Sequence, residues 1–523
     1  MLYGGSETNE KLVLGHPSGL FVLFFTEMWE RFSYYGMRAL LVLFLVTSII
    51  DNGWGWDRSE ALLLYGWYTG LVYITPIIGG FVADKFLGFR KAVVLGALLM
   101  TLGHASMALE VTSDMFFFIG LGLLILGNGF FKPNIGSIVG QLYVNRNDKR
   151  DAGYTIFYMG VNAGAFLGIL LCGYIGEQIG WHYGFGLAGI FMFIGLLQFY
   201  FARTLFGNIG LPPKQLQEID DAIDDEIEEI EDAIEDVSKS KITKDRLIVI
   251  GIFSFFTIFF WWAFEQAGGS MTVFAKDYTN RVLEDQGAFV FKVFNTLLTV
   301  VPMLIITWVL SLLFRQTFSK YALSNILLAF GFVIIWGLVI WMLQREFSNE
   351  VTEVPASWFG ILNSFFIISI APFFSKLWES KFNPTGPVKF AIGLLLLGLG
   401  FGILSFGSMG IPLGAKTASV SMIYLVLAYL FHTLGELCIS PVGISYVSKL
   451  APLKLMGLMF GVWYFANFIA NLSAGITGSY IDPIVEEHGM SVFFLIFTLI
   501  PAAAGVIMLI LNKSILKLMH GIR

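Results

Sequence analysis

Charged residues are scarce in this chain. Asp, Glu, Lys and Arg make up 13% of its 523 residues, about half of the roughly 25% found in soluble domains. Hydrophobic residues make up 56%, and apolar runs of about 20 residues, each able to cross roughly 30 Å of hydrocarbon, recur from one end to the other. This composition excludes a water-soluble body and predicts an all-α integral membrane protein surrounded by membrane lipid.

The chain is also poor in the groups that most cofactors and enzymes require. Its two cysteines, Cys172 and Cys438, both lie in apolar segments, which excludes a disulfide framework or a Cys/His metal site. A basic patch for nucleic acid and a Walker loop for ATP are both missing. No pattern resembles a nucleophile with its base. The sequence therefore predicts no enzyme activity, no nucleic-acid partner and no cofactor.

About fourteen membrane spans are predicted, and an even number places both termini on one side. The predicted spans are about 18–48, 60–84, 91–109, 114–141, 153–177, 184–206, 247–275, 295–314, 322–343, 356–378, 387–408, 418–446, 456–480 and 491–511. Alternate loops are rich in Lys and Arg, as in Arg146, Lys149 and Arg150. By the positive-inside rule, both termini are predicted to be cytoplasmic in a multi-pass protein of the plasma (cell inner) membrane.

A polar linker at about 208–245 divides the chain into two predicted bundles. Residues 1–207 form an N-terminal six-helix bundle, and 246–523 form a C-terminal bundle with an extra helix pair at about 295–343. The linker segment EIDDAIDDEIEEIEDAIEDV repeats isoleucine at steps of four and three, which predicts an amphipathic helix with an acidic outer face. A calcium site is the alternative, although the EF-hand glycine is missing.

Ionisable residues inside predicted spans are few, and such residues mark functional sites by default. Glu27, Glu30 and Arg31 stand at i, i+3 and i+4 and therefore share one helix face, which Arg38 continues. The other charged spans contribute Lys132, Glu265 and Glu436. With the extra pair set aside, these are helices 1, 4, 7 and 10 of a six-plus-six transporter, the helices that line its central cavity.

The signs of these seven charges suit coupling to a proton. Four acids and three bases leave a balance of −1, so one bound proton neutralises the set. Static ion pairs between helices explain any one residue, but they explain the whole distribution poorly.

Several motifs resemble one transporter family in the order in which they occur. EMWERFSYYG at 27–36 is similar to the ExxER-F-x-YYG signature of the proton-dependent oligopeptide transporter (POT/PTR) family of the major facilitator superfamily. The similarity extends along most of the chain through GGFVADKFLGFRK (79–91), GNGFFKPNIGSIVG (127–140), FYMGVNAGAFLG (157–168), FWWAFEQAGGS (260–270), ASWFGILNSFFIISIAPFF (356–374), ELCISPVGISYVSKLAP (436–452) and MGLMFGVWYFANFIANLSAG (456–475). The resemblance implies a major facilitator fold with 6+6 core helices in two pseudo-symmetric halves.

The resemblance also implies roles for particular residues. Glu27, Glu30 and Arg31 would couple protons, and which carboxylate takes the proton stays open. Substrate contacts are implied for Arg38 and Lys132 at the peptide carboxylate, for Glu436 at its amino group, and for a further set of pocket residues. That set is Asn162, Tyr34, Tyr35, Tyr73, Trp261, Asn363, Trp463 and Asn467. Glu265 would pair with Lys132 or Arg38 between the bundles and serve gating.

The function implied is proton-coupled symport of di- and tripeptides by alternating access. A same-family transporter of an amino acid, nitrate or a peptide-like metabolite is the main alternative, and the full ExxER cluster with Lys132 and Glu436 favours peptides. A membrane enzyme and a channel are disfavoured. The chain departs from many relatives in carrying its extra helix pair after the FEQ helix instead of in the linker. Oligomeric state and side-chain preference are not predicted.

Overall fold

Long helices make up almost all of the described structure. The computed structural model describes residues 3–212, 241–452 and 455–522, so the predicted acidic linker helix lies outside the described residues. The helices are α1 (Ser18–Val46), α2 (Arg58–Val82), α3 (Phe89–Ala108), α4 (Asp114–Gln141), α5 (Asn147–Gln178), α6 (Trp181–Ala202), α7 (Lys241–Phe264), α8 (Ser270–Asp277), α9 (Asp285–Thr317), α10 (Ala322–Ser348), α11 (Ile361–Glu379), α12 (Gly386–Gly407), α13 (Ile423–Leu450), α14 (Met456–Ser479), α15 (Ile481–His488) and α16 (Met490–Leu518).

Thirteen helical segments in the described residues are long and apolar enough to cross a membrane. Helix α1, 29 residues long, falls outside that group because it carries Glu27, Glu30, Arg31 and Arg38. With α1 included, the count agrees with the predicted fourteen spans, and the all-α membrane fold is confirmed.

The extra helix pair, α9 and α10, is longer than the sequence predicts. Helix α9 begins at Asp285 rather than near residue 295, and α10 ends at Ser348 rather than near 343. Hydropathy places the end of a span at its first charged residues, here Lys292 and Arg345, whereas the helix itself continues beyond the hydrocarbon.

Short strands tie the loops together. β1 (Leu12–Val13) pairs with β2 (His16–Pro17), β3 (Thr279–Asn280) with β6 (Val420–Ser421), and β4 (Val282–Leu283) with β5 (Thr352–Glu353). The β4–β5 pair joins the residues just before α9 to those just after α10. Arg281 strengthens this closure, since it bonds Glu353 at 2.8 Å and the Val354 carbonyl at 2.6 Å. The extra pair is therefore a hairpin closed at its base.

The predicted span at 247–275 is interrupted in its second half. A 3₁₀ turn over Glu265–Gly268 separates α7 from α8. Gly268 lies against the Tyr65 hydroxyl so closely that a Cβ would collide with it. The departure from α-helical geometry begins at the residue that the sequence singles out, Glu265.

The chain folds into two compact units. The first unit comprises the described parts of Met1–Leu41, Thr75–Ile219 and Arg281–Ile361, and the second those of Val42–Ile74, Asp220–Asn280 and Leu362–Arg523. Each unit draws on three chain segments, and the extra pair belongs to the first. The bundle boundaries expected from chain order remain a prediction.

Helices α3 and α4 of the first unit pack through glycines spaced seven residues apart. A Cβ on Gly120 would lie 2.7 Å from the carbonyl oxygen of Gly103, and one on Gly127 would lie 2.7 Å from that of Gly96. Small residues let helix backbones approach closely in a bilayer, where packing rather than water drives association.

Cys172 and Cys438 are both free and buried. A Cβ on Gly36 would lie 2.7 Å from the Cys172 sulfur. Cys172 thus behaves as a small apolar side chain that fills the space left by a glycine.

Candidate coupling and substrate sites

The first unit contains a buried cluster of two carboxylates and one guanidinium on α1. The Arg31 Nε atom lies 2.7 Å from Glu27 Oε1 and 2.8 Å from Glu30 Oε2. All three side chains are at most 4% exposed. One cation thus stands between two acids, as the i, i+3, i+4 spacing predicts. Glu27 Oε2 has no hydrogen-bond partner among the described residues.

Helix α4 adds two polar groups beside Glu30. The Asn128 side-chain amide donates to Glu30 Oε1 at 3.2 Å, and Lys132, half-buried one helical turn further on, is near enough to interact electrostatically with Glu30. Lys132 is a predicted site residue, whereas Asn128 is not. A carboxylate at Glu30 therefore accepts from an amide and faces two cations.

Aromatic rings continue the same face of α1. Arg31 lies over the Tyr34 ring, with 5.8 Å from its Cζ to the ring centroid, and Arg38 lies over Tyr35 at 5.9 Å. The two tyrosine rings meet edge to face at 5.2 Å. These contacts hold the guanidinium groups in place by cation–π attraction, which strengthens when water is excluded.

The second unit contains a separate carboxylate site on α13. The Asn363 amide of α11 donates to Glu436 Oε2 at 2.8 Å and to the Thr433 hydroxyl at 3.1 Å. Glu436 is 9% exposed. Asn363 and Glu436 are both predicted site residues, and the fold brings them into contact. His432, one turn earlier, packs against Phe401 with ring centroids 4.4 Å apart.

Glu265 of the second unit lies at the break after α7. The Tyr65 hydroxyl donates to Glu265 Oε2 at 3.3 Å, and the carboxylate is 2% exposed. Glu265 also interacts electrostatically with Glu436. The second unit thus contains the acids Glu265 and Glu436. The first unit contains the two acids beside Arg31.

The remaining predicted site residues bond or pack locally. Asn162 donates to the Tyr158 carbonyl and Asn467 to the Trp463 carbonyl, each one turn back on its own helix. The Trp463 indole fills the space over Gly443, where a Cβ would collide with it. Trp261, half-buried, packs edge-on against Phe264 at 5.1 Å, and Tyr73 is half-buried on α2.

A charge cluster around Arg58 in the second unit is not predicted by the sequence. Arg58 donates to Asp277 at 2.7 Å, Asp482 at 2.9 Å, the Tyr278 hydroxyl at 3.0 Å and the Lys416 carbonyl at 3.1 Å. These residues line a cavity of about 450 Å³. They come from four distant chain segments, so linear spacing carries no signal for them.

Sequence reasoning missed three residues that contact the predicted acids: Asn128, Thr433 and Tyr65. Some of them have a signal in the sequence that could have identified them. Asn128 stands in the quoted motif GNGFF, so its motif is a usable signal. Thr433 stands three residues before Glu436 and shares its helix face. Tyr65 offers no such pattern. Among the described residues, no group of three or more His, Cys, Asp or Glu is placed to hold a metal ion.

Comparison with known proteins finds that this chain is similar to transporters. The family model described as PTR2, POT family, matches residues 90–223 and 332–491. The chain is 33% identical to an uncharacterized transporter, YclF, of Bacillus subtilis, over 98% of this chain and 97% of the relative. It is 32% identical to the peptide transporter YePEPT of Yersinia enterocolitica (89% and 88%) and 32% identical to a di-/tripeptide transporter of Lactococcus lactis (98% and 99%).

Solved structures agree with the sequence comparison. A peptide transporter POT in complex with sulfate matches with a TM-score of 0.74 at 30% identity, over 98% of this chain and 97% of the other. A POT family transporter in complex with 5-aminolevulinic acid matches with a TM-score of 0.74 at 27% identity, over 97% and 98%. The major facilitator fold is thereby confirmed, and the protein is a multi-pass membrane transporter, not an enzyme. On its sequence and its fold, the chain belongs to the POT family.

Proposed function

We propose that this protein is a proton-coupled symporter that imports di- and tripeptides by alternating access. The observation that carries the proposal is the buried Glu27–Arg31–Glu30 cluster, in which one guanidinium nitrogen lies within 2.8 Å of a carboxylate oxygen on each side. Buried ionisable groups in a membrane helix are costly, so they are retained for a task. A carboxylate pair that shares one cation is suited to exchange a proton.

Coupling follows from the competition for Arg31. When both acids are ionised, Arg31 neutralises only one of the two charges, and the second is stabilised by Asn128 and Lys132. Protonation of Glu27 or Glu30 neutralises one of the two carboxylates that pair with Arg31. The guanidinium then pairs with the carboxylate that stays ionised. A ligand shifts a conformational equilibrium only by its differential affinity for the two states, and this re-pairing is what differs between them. The proton can be shared by the two acids.

The substrate assignment rests on the two ends that every short peptide has in common. A dipeptide spans roughly 7 Å of extended chain. Glu436, positioned by Asn363, would take the amino group, and Arg38 and Lys132 would take the carboxylate. The pocket walls proposed for the variable side chains are Tyr34, Tyr35, Tyr73, Trp261, Trp463, Asn162 and Asn467. Tyrosine and tryptophan accept many side chains because they are largely apolar with one polar group. The names of the Lactococcus and Yersinia relatives support the peptide class.

The decisive experiment is uptake of labelled Ala-Ala into proteoliposomes. An imposed inward proton gradient should drive accumulation above equilibrium, and a protonophore with valinomycin and potassium should abolish it. Unchanged accumulation after both the pH gradient and the membrane potential are dissipated would refute proton symport.

Another small solute is a second candidate, because one related structure holds 5-aminolevulinic acid. This compound carries an amine and an acid group, like a peptide. Competition assays separate the two hypotheses: excess 5-aminolevulinic acid that inhibits far better than Ala-Ala would favour the metabolite.

The membrane arrangement completes the proposal. The Lys/Arg bias of alternate loops supports placement in the cell inner membrane with cytoplasmic termini. We assign the proposed gating contact to Glu265 with Lys132 or Arg38, and the bundles to 1–207 and 246–523 with the linker at 208–245. Reporter fusions at both ends, compared with fusions in the 349–355 loop, test the orientation.

A further inference from the structure

The helix pair α9–α10 lies outside the six-plus-six core, yet the first unit holds it in a defined place. Its base is closed by the β4–β5 pair and by Arg281. One side is apolar and exposed, as in Phe289, Leu304 and Phe330, which suits contact with lipid. The other side carries buried residues that contact α1, α5 and α6. These contacts indicate what the pair does.

The central contact is made with the tryptophan of the EMWER motif. Trp29 is fully buried. Its ring stacks on Phe191 of α6 at 5.1 Å and meets Phe332 of α10 edge to face at 5.6 Å. Phe332 also meets Phe25, one turn earlier on α1, at 5.7 Å. A Cβ on Gly331 would lie 3.1 Å from Trp29 Cζ2. Helix α10 therefore packs directly against the side of α1 that carries Trp29 and Phe25.

Polar contacts secure α10 on either side of this point. The Ser324 hydroxyl donates to the Gln198 carbonyl at 2.9 Å, and the Gln198 side chain accepts from Thr26 at 2.9 Å. The Tyr174 hydroxyl donates to Glu346 at 2.7 Å, and Glu346 is 6% exposed. Polar groups buried between membrane helices fix one packing arrangement, because a slip leaves them unsatisfied.

The position of Trp29 connects these contacts to the charge cluster. Trp29 lies between Glu27 and Glu30 in sequence, and at 100° per residue it projects from the opposite side of α1 to Glu27 and Arg31. The indole is thus attached to the same stretch of α1 that carries both acids. The charged groups that face Glu30 are Glu27 and Arg31 of α1 and Lys132 of α4. The ionisable groups of α10, Arg345 and Glu346, contact Tyr174 instead.

We propose that the α9–α10 pair is a positioning element for proton coupling, which acts through Gly331 and Phe332 on Trp29 to hold the Glu27–Arg31–Glu30 turn. This inference rests on the proposed role of that cluster. It gives the extra pair a task in transport that is distinct from binding substrate. Trp29, Gly331 and Phe332 are positioning residues, since none of them is ionisable.

The test compares two glycines of the same helix. Gly331→Leu introduces a side chain against the Trp29 indole, whereas Gly337→Leu, the control, enters space with no atom within 4 Å of the new Cβ. Both variants are reconstituted, and gradient-driven accumulation of Ala-Ala is measured from pH 5 to pH 8 beside gradient-free counterflow. Gly331→Leu should lower the ratio of accumulation to counterflow about tenfold, which is less than the roughly hundredfold cost of a 1 Å misplacement of reacting groups, and should shift the pH of half-maximal uptake. Gly337→Leu should match the wild type.

A second pair of variants keeps the test valid if Gly331→Leu does not fold. Phe332→Ala removes the edge contact with Trp29, and Phe330→Ala, at a position 57% exposed, is its control. A double variant, Gly331→Leu with Trp29→Phe, removes the ring atoms that the leucine would meet and should recover part of the accumulation. If Gly331→Leu and Phe332→Ala both match their controls in ratio and pH profile, the positioning role is refuted.

The outcome for the cluster itself is measured in parallel with Glu30→Gln. If Glu30→Gln and Glu27→Gln both leave accumulation intact, the proposed proton coupling is wrong, and the inference fails with it. If these variants uncouple transport while Gly331→Leu and Phe332→Ala do not, only the inference fails.

Discussion

The Arg31 guanidinium pairs with two carboxylates, Glu27 and Glu30. Replacing either carboxylate with an amide removes a negative charge without changing the size of the side chain. Glu27→Gln and Glu30→Gln should each abolish accumulation of peptide against a gradient, because an amide keeps the shape of the side chain but cannot cycle a proton. Counterflow should survive in at least one of them, since it needs binding and alternation without net proton movement. The measurement is the ratio of accumulation to counterflow in proteoliposomes.

Glu60→Gln is a suitable control for these variants, because Glu60 is exposed at the start of α2. Loss of both activities together with poor folding in Glu27→Gln and Glu30→Gln would point to a structural ion pair instead of a coupling site.

The two ends of the substrate should be distinguished by opposite charges. Glu436→Gln should weaken peptides with a free amino group far more than N-acetylated ones, which have no cation to lose. Lys132→Ala should instead discriminate between free and amidated carboxyl ends. Each lost contact is a partly buried charge pair and should cost about 2–5 kcal/mol. Competition against labelled Ala-Ala, on detergent-stable protein, measures both effects.

Equal loss of all substrates in both variants would contradict recognition of the peptide ends and would assign these residues to gating. Retained affinity without discrimination would place the pocket elsewhere.

Residues that act within one helical turn are predictable from sequence. Glu27, Glu30 and Arg31 meet because 3.6 residues per turn aligns them, and this geometry is independent of the rest of the fold. Asn128 reaches Glu30 only because α4 packs on α1 in one register. Arg58 gathers partners from three other segments. Such interactions depend on tertiary packing, which no local period encodes.

Glycine at a helix contact and glycine facing open space should respond differently to the same substitution. Gly120→Leu of α4 would introduce a side chain where even a Cβ lies 2.7 Å from the Gly103 carbonyl, and overpacking of this kind costs about 1–3 kcal/mol or more. Gly122→Leu, two residues later on the same helix, has no atom within 4 Å of its Cβ. Thermal unfolding in detergent should show a lower midpoint for Gly120→Leu and little change for Gly122→Leu. Equal midpoints would mean that α3 and α4 tolerate separation.

Elements are predicted well where hydropathy alone decides them. The limits of α4 and the start of α14 agree with the sequence prediction. Prediction fails at the ends of α9 and α10, where helix continues past the apolar run, and at Glu265, where a 3₁₀ turn begins and Gly268 packs against Tyr65. The length of an apolar run reflects the thickness of the membrane, whereas the position of a break in a helix is not encoded in hydropathy.

The linker is expected to join the two predicted bundles without taking part in binding. Deleting residues 218–237 and inserting a flexible linker of similar reach should leave peptide affinity within about twofold, because the sequence predicts a solvated acidic face and salt screens exposed charges that are more than roughly 10 Å apart. Binding measured by competition, in deleted and full-length protein at equal salt, checks this. A large loss of affinity in a well-folded deletion would show that the linker contributes to the site.

Whole-molecule organisation is predictable to the level of family and fold. The ordered motifs predict a major facilitator fold, and the solved relatives confirm it. The division into compact units is not predictable, because α1 and α2 each contribute to both units. Chain order shows only which helices are connected in sequence. The compact units depend on which residues pack together in this conformation.

The two buried cysteines have a practical consequence for spectroscopy. Cys172 and Cys438 are the only thiols in the sequence, and both are enclosed by protein, so maleimide or methanethiosulfonate probes should leave the wild-type protein almost unlabelled. Cysteines introduced at exposed positions such as Asp114 of the first unit and Glu487 of the second would then carry a spin-label pair on an otherwise native background. Distance distributions recorded with and without peptide, at acidic and neutral pH, would follow the conformational cycle of the transporter without any cysteine-free variant.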